Sequence, residues 1–461
     1  MYKKTLLEQW ILNKILGSAG ETGRLNRTLI ENYQLVKLRE TIALAAEKSH
    51  FYRGALGTFP VDKISSLKDL RELPFTTAED ISQNPLRFLC CSQDEIKRVV
   101  TLESSGTTGY PKRIFFTAAD QELTKDFFHH GMTVMAQTGD KVLVLLPGER
   151  PGSVGDLFAD SVRRMNVVPV PHGIIRDPGY TLEVMAGEQV DTLLGIPVQV
   201  LALACCEPPG ENKFPLNIKN VILNTDHVPR AIISRIKKKW DCRVFNHYAM
   251  TEMGLGGGLE CAAQAGYHMR EADLLFEIVH PDTGEVLLEG EEGEVVFTTL
   301  TRRGMPLIRY RTGDLARFIP GPCPCGTVMK RMAPVKDRVK GRISLTGGGL
   351  ISMSMLDEAL FAVKDVLNFQ AVISSRNGID CLAVKAHLAG WAGEETPALI
   401  QKALLSIPVV AENIKQGSLN LAPVEVDRSK ELWRPAKRMI QDLRKAERGH
   451  TSSRNVPDKE A

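Results

Sequence analysis

Residues 104–112 read Ser-Ser-Gly-Thr-Thr-Gly-Tyr-Pro-Lys. Gly106 and Gly109 let backbone N–H groups approach an anion, Ser104, Ser105, Thr107 and Thr108 add hydroxyl donors, and Lys112 adds a positive charge. That combination suits a phosphate group. Composition alone equally fits an ordinary Ser/Thr/Gly loop. The run is not a GxxxxGK[ST] loop, because no Gly-Lys-Ser/Thr opens a helix. A second group with chemical potential is Cys261, His268, Cys323 and Cys325. Three thiolates and an imidazole make up the ligand set of a structural zinc site, and buried free thiols are the alternative reading.

The elements that must position these residues are legible as apolar runs. KVLVLL (141–146), VVPV (167–170), DTLLGI (191–196), NVILN (220–224) and RVFNHY (243–248) read as buried strands. The stretches between them are long enough for crossover helices, so the fold class is α/β with a parallel, layered sheet. Residues 1–100 read as helical and loop-rich. After residue 274 the pattern changes to strands joined by tight turns, with Asp282-Thr283-Gly284 at one hairpin. A smaller α+β unit follows, with Asn377-Gly378 as a hairpin turn. The expected division is 1–342 for a large N-terminal domain, 343–450 for a small mobile C-terminal domain, and 451–461 for a polar tail.

Length and composition agree with two domains. The chain has 461 residues, 43% hydrophobic and 25% charged, with a net charge of +3 from 58 basic and 55 acidic side chains. No bulk attraction to nucleic acid or to acidic membranes follows from that balance. The N-terminus lacks an uninterrupted apolar stretch, and no run approaches the ~18–20 residues needed to span a bilayer. Nine cysteines, with adjacent pairs at Cys90-Cys91 and Cys205-Cys206, make poor material for a disulfide framework. The expected location is the cytoplasm. The oligomeric state is open, with a dimer among the options.

Four motifs in order give the loop its meaning. Residues 104–112 resemble the phosphate-binding signature of the adenylate-forming superfamily of acyl-CoA ligases. His247-Tyr248-Ala249-Met250-Thr251-Glu252 resembles its Tyr-Gly-x-Thr-Glu element, and Tyr310-Arg311-Thr312-Gly313-Asp314 its Tyr-x-Thr-Gly-Asp element. Arg338-Val339-Lys340-Gly341-Arg342 is similar to the Gly-Arg that opens the interdomain hinge. The segments GEEGEVVFTTLTRRGMPLIRYRTGDLARF and CPCG are similar to the phenylacetate-CoA ligase branch, which also has a similar Cys…Gly-x-His…Cys-Pro-Cys-Gly arrangement. The resemblance implies an adenylation domain that uses ATP and Mg²⁺ to convert a carboxylic acid to an acyl-AMP, then passes the acyl group to coenzyme A.

On that resemblance, residues 104–109 and Lys112 would hold the β- and γ-phosphates. Thr251 would contact the α-phosphate, and Glu252 would ligate Mg²⁺, a hard cation that prefers oxygen ligands. Tyr248, with Ala249 and Met250, would lie near adenine, and Asp226 would sit in the adenine-reading loop. Asp314 would accept hydrogen bonds from the ribose hydroxyls, a role that suits an acceptor-only carboxylate. Arg342 would contact ribose or phosphate. Candidate walls of the acid pocket lie around residues 127–130, after Pro147, and near His247. Residues 148–155 (GERPGSVG) read either as a mobile loop or as a turn.

Two places depart from the family pattern. Gly341-Arg342 is followed by Ile343 and a run of glycines at 347–349, without the usual acidic residue. Those glycines would give flexibility for domain rotation. The C-terminal adenylation lysine is Lys437 in one alignment, whereas another puts Pro435 there. Two rival readings therefore stand beside a CoA ligase: an adenylate-forming enzyme with another acceptor, and a non-catalytic adenylate-binding regulator.

Overall fold

A computed structural model of the chain describes residues 4–17, 23–57, 59–102, 111–206, 216–429, 432–433 and 438–444. The N-terminal helices are Leu7–Leu16, Arg27–Lys48 and His50–Leu56. Trp10 and Ile11 of the first helix are buried in the main core, and Lys14 reaches Asp273 at 3.2 Å. The amphipathic spacing of this segment therefore serves packing.

Strands β1 (Ile96–Leu102) and β2 (Lys112–Thr117) form an antiparallel pair that brackets the Ser/Thr/Gly loop. Thr117 ends β2 and opens helix Ala118–Met132 through a capping box with Asp120. Five parallel strands follow: β3 (Lys141–Val144), β4 (Val168–Pro171), β5 (Thr192–Gly195), β6 (Asn220–Leu223) and β7 (Arg243–Tyr248), ordered β4-β3-β5-β6-β7. The helices between them cross over the sheet. Strands β3, β5 and β6 are apolar at nearly every position because helices cover both faces. Antiparallel strands β8 (Gly258–Glu260) and β9 (Tyr267–Met269) extend the sheet beyond β7.

Next come β10 (Leu274–Val279), β11 (Gly293–Thr299), β12 (Tyr310–Ala316), β13 (Arg331–Met332) and β14 (Asp337–Arg338). Strands β10, β11, β12 and β14 form a four-stranded antiparallel sheet, while β13 returns to the large sheet beside β9. The hairpin at residues 282–284 is present, with Gly284 at φ +76°.

The remaining strands form sheets of their own. Strands β15 (Ile343–Ser344) and β16 (Leu350–Ile351) pair as a hairpin, followed by helix Met353–Leu360. Strands β17 (Val366–Arg376) and β18 (Ile379–Leu388) turn at Asn377 and Gly378, both at positive φ as a two-residue turn requires. Strands β19 (Leu419–Leu421), β20 (Glu425–Asp427) and β21 (Gln441–Asp442) add in parallel. Arg235, on helix Arg230–Trp240, donates to the carbonyls of Phe361, Lys364 and Val366 and ties this unit to the large sheet's helical layer.

The glycine run at 347–349 differs from the flexible segment expected of it. Gly348 and Gly349 have φ of +97° and +80° and turn the β15–β16 hairpin, with Gly348 N donating to Leu345 O. A Cβ at Gly347 would lie 2.0 Å from Ser418 Oγ and 2.5 Å from Asn413 Oδ1. These residues are glycine because the turn is left-handed and tightly packed.

Candidate active site

Lys112 is the first residue of β2 and Glu252 lies in the 3₁₀ turn Thr251–Met253 that follows β7. Their side chains form an ion pair, and Tyr310 Oη lies 3.0 Å from Lys112 Nζ and 3.1 Å from Glu252 Oε1. Glu252 is buried, and Lys112 is the cation paired with it. Arg302 supports the pair from behind, donating to Glu252 O at 2.8 Å and to Phe115 O at 2.9 Å. One buried guanidinium thus joins β2 to the Glu252 turn. Tyr310 is braced by residue 76, whose N–H and carbonyl bond Arg309 O and Arg311 N.

The turn itself is tightly specified. Met250 O accepts from Met253 N and Leu255 N, and Thr251 O accepts from Gly254 N, with Gly254 at φ +74° and Leu255 at φ +64°. Thr251 is half-buried beside Glu252, and Ala249 and Met250 connect it to Tyr248.

A second polar group lies on β12 and β14. Asp314 Oδ2 accepts from Tyr248 Oη at 2.9 Å, and Asp314 Oδ1 accepts from Arg338 Nε at 2.6 Å. Burial pushes the Asp314 carboxyl above its ordinary range, and the Arg338 guanidinium counteracts this. Burial, with the Asp314 charge beside it, raises the Tyr248 phenol so that it stays a hydrogen-bond donor. Asp226 follows β6, half-buried, within electrostatic reach of Arg438 and Arg338. Arg342 points elsewhere: its guanidinium pairs with Glu292 at 2.6 Å and Asp337 at 3.4 Å. Arg338, four residues earlier, is the arginine on Asp314. Ser104, Ser105, Gly106, Thr107, Thr108, Gly109 and Lys437 lie outside the described residues.

Beside these groups is an apolar cavity. Phe127, Phe128 and Phe158 line one side, aliphatic side chains of β5, β6 and β8 the other, and Asn224 and His247 supply its polar groups. Val154, in the segment read as either a mobile loop or a turn, also lines it, whereas His129 and His130 do not. Residues 148–153 form turns that lead into helix Val154–Arg163. Gly256 approaches the Phe127 ring so closely that a Cβ would lie 2.6 Å from it.

Cys261, His268, Cys323 and Cys325 come together, all buried, with their ligand atoms within 4.8 Å of one another. Cys261 Sγ and Cys323 Sγ are 3.7 Å apart, and Cys325 Sγ is 3.6 Å from His268 Nε2. A zinc tetrahedron with ~2.3 Å bonds to sulfur has edges of about 3.7 Å, so the donors fit that ion. The hydrogen bond from Cys261 pulls Cys325 below the usual thiol range, while the same bond pushes Cys261 up. Arg331 Nη1 and Nη2 hold the knuckle by donating to Ala265 O and Pro322 O at 2.9 and 3.1 Å.

Residues 97–300 match the model of the AMP-binding enzyme family. Over 380 residues the chain is 28% identical to the phenylacetate-coenzyme A ligase of Thermus thermophilus, covering 80% of this chain and 84% of that one. With the Escherichia coli phenylacetate-coenzyme A ligase it shares 27% over 373 residues, 78% of this chain and 82% of that one. Its fold matches a crystal structure of 2-hydroxyisobutyryl-CoA ligase in the postadenylation state with a TM-score of 0.77, at 18% identity, over 93% of this chain and 92% of that one. With the same enzyme in the thioesterification state the TM-score is 0.63, at 19% identity, over 96% of this chain and 94% of that one.

Over residues 97–300 the chain resembles the AMP-binding, adenylate-forming enzymes. Over 80% of its length it is similar to a phenylacetate-CoA ligase.

Proposed function

We propose that the chain is an AMP-forming acid–CoA ligase acting on a small aryl or acyl carboxylic acid. In the first step a carboxylate oxygen attacks the α-phosphorus of ATP. The bond from that phosphorus to the bridging oxygen of the β-phosphate breaks, releasing pyrophosphate and leaving an acyl-AMP. In the second, the thiolate of coenzyme A attacks the acyl carbonyl and AMP departs. The observation that carries this reading is the convergence of Lys112, Glu252 and Tyr310 next to Asp314 and beside an apolar cavity.

Because two anions must meet, the chain's contribution is positioning and charge neutralisation. Lys112 and residues 104–109 would hold the β- and γ-phosphates, with Thr251 on the α-phosphate. Asp314, oriented by Arg338 and Tyr248, would accept from the ribose hydroxyls, with Tyr248, Ala249, Met250 and Asp226 around adenine. Arg342 would reach the nucleotide only after leaving Glu292 and Asp337. Mg²⁺ suits the Glu252 carboxylate and would neutralise triphosphate charge there. The clustered Cys₃His set supports a structural zinc ion. The small unit from residue 343 would be the mobile domain, and Lys437 the residue it delivers for adenylation. No helix among the described residues is long and apolar enough to cross a membrane.

ATP–pyrophosphate exchange across a panel of carboxylic acids tests the first step, and thioester formation with coenzyme A tests the acceptor. Exchange without CoA thioester would favour another acceptor. Absence of exchange across the panel would favour a non-catalytic adenylate binder.

A further inference from the structure

The apolar cavity contains one group that a plain hydrocarbon acid leaves unused. His247 is only 8% exposed and lies against the rings of Phe127 and Phe128, at centroid distances of 6.3 and 5.7 Å. Its Nε2 has no hydrogen-bond partner among the described residues. Asn224, the other polar residue of the wall, already accepts from Thr225 Oγ1 at 2.9 Å. Buried polar atoms are normally satisfied, and an exception calls for an explanation such as a ligand. Burial alone depresses the imidazole pKa to about 4, so the ring is neutral at neutral pH.

A neutral imidazole offers one N–H donor and one acceptor, depending on tautomer. A hydroxyl can meet either. An ionised substituent would lose its hydration among phenyl rings with no counter-charge, which excludes a second carboxylate or an ammonium there. The three phenyl rings of its wall suit an aromatic body. We propose that the acid bears a hydroxyl on an aromatic body and that His247 Nε2 selects it. This rests on reading the cavity as the acid site of the ligase.

The test compares pyrophosphate release with phenylacetic acid and its 2-, 3- and 4-hydroxy derivatives, in the wild type, His247→Phe and His247→Gln. Pockets that hydrogen-bond a substrate hydroxyl discriminate strongly against its absence, so one hydroxylated isomer should exceed phenylacetic acid in kcat/KM by at least about tenfold. His247→Phe should reduce that ratio to within about threefold of unity. His247→Gln, which keeps a donor and an acceptor, should retain part of it. The wild-type ratio and the Gln variant decide the matter if the Phe variant does not fold. A wild type that prefers phenylacetic acid to all three isomers would overturn the inference and leave the ligase reading intact, as would a ratio unchanged in His247→Phe. Absence of pyrophosphate release with every carboxylic acid in a broader panel would overturn both.

Discussion

Arg338 stands opposite Asp314 in the register of β12 and β14 and donates to its Oδ1 at 2.6 Å, while Tyr248 takes Oδ2. Both oxygens of one buried carboxylate are therefore oriented before any nucleotide arrives. If Asp314 receives the ribose hydroxyls, Asp314→Asn should raise KM for ATP in the exchange assay by about 10- to 100-fold, the range of a hydrogen bond to a charged group. Arg338→Ala should act in the same direction by releasing the carboxylate. An unchanged KM in Asp314→Asn would remove the ribose role.

Lys112 and Glu252 make a separate prediction because they are paired. Lys112→Ala or Glu252→Ala should lower adenylation by about 10²–10³, the usual loss for one preorganised electrostatic contact. The double variant should fall well short of the product of the two, since each substitution already breaks the same pair. Near-wild-type exchange in Glu252→Ala would contradict the Mg²⁺ role.

Metal analysis tests the cysteine cluster. Purified protein should carry about one zinc per chain, and Cys323→Ser should lose it together with several degrees of thermal stability, because structural zinc contributes folding free energy. A metal-free chain with an undiminished melting temperature would leave four buried, mutually hydrogen-bonded side chains instead.

Half-reaction kinetics test the C-terminal unit. Lys437→Ala should impair acyl-AMP formation and leave thioester formation from presynthesised acyl-AMP nearly intact, since it would contact the transition state of only the first step. Equal slowing of both steps would show that Lys437 is not the adenylation lysine. Proline at Gly348 should act differently. Its φ of +97° is closed to proline, so melting temperature should drop before either half-reaction responds selectively.

Acid stability should report the environment of His247. Its folded pKa is depressed from 6.5 to about 4, so the fold prefers the neutral ring. The associated stability is present above about pH 6.5 and is lost as pH falls toward 4. Chemical denaturation of the wild type should therefore weaken relative to His247→Phe by on the order of 3 kcal/mol between about pH 7 and pH 4, at ~1.4 kcal/mol per pKa unit. A pH-independent difference would mean that the imidazole is solvated in the folded state.

Much of the scaffold was visible in the residues because its signals are local. Runs such as NVILN and DTLLGI have unbroken apolar centres, as strands covered on both faces must. Asn377-Gly378 marks its turn by the positive φ it allows. Site residues that depend on long-range register were less legible. The Gly-Arg motif draws attention to Arg342, yet the strand pairing that brings Arg338 to Asp314 is only two residues long and leaves no periodic trace. Arg302 and Tyr310 support Glu252 through contacts 50 and 58 residues away in sequence. The glycines at 347–349 look like a flexible segment because glycine's two uses, freedom and left-handed turns, share one letter.

Strand β7 carries His247 and Tyr248 as neighbours, one at the cavity and the other at Asp314. Successive side chains of a strand point to opposite faces. Acid choice and nucleotide contact are thus written on two sides of one ribbon, a single peptide apart. Substitutions on the cavity side can change which acid enters while the nucleotide side keeps its geometry, so the fold permits new substrate preferences to arise without rebuilding the machinery that activates them.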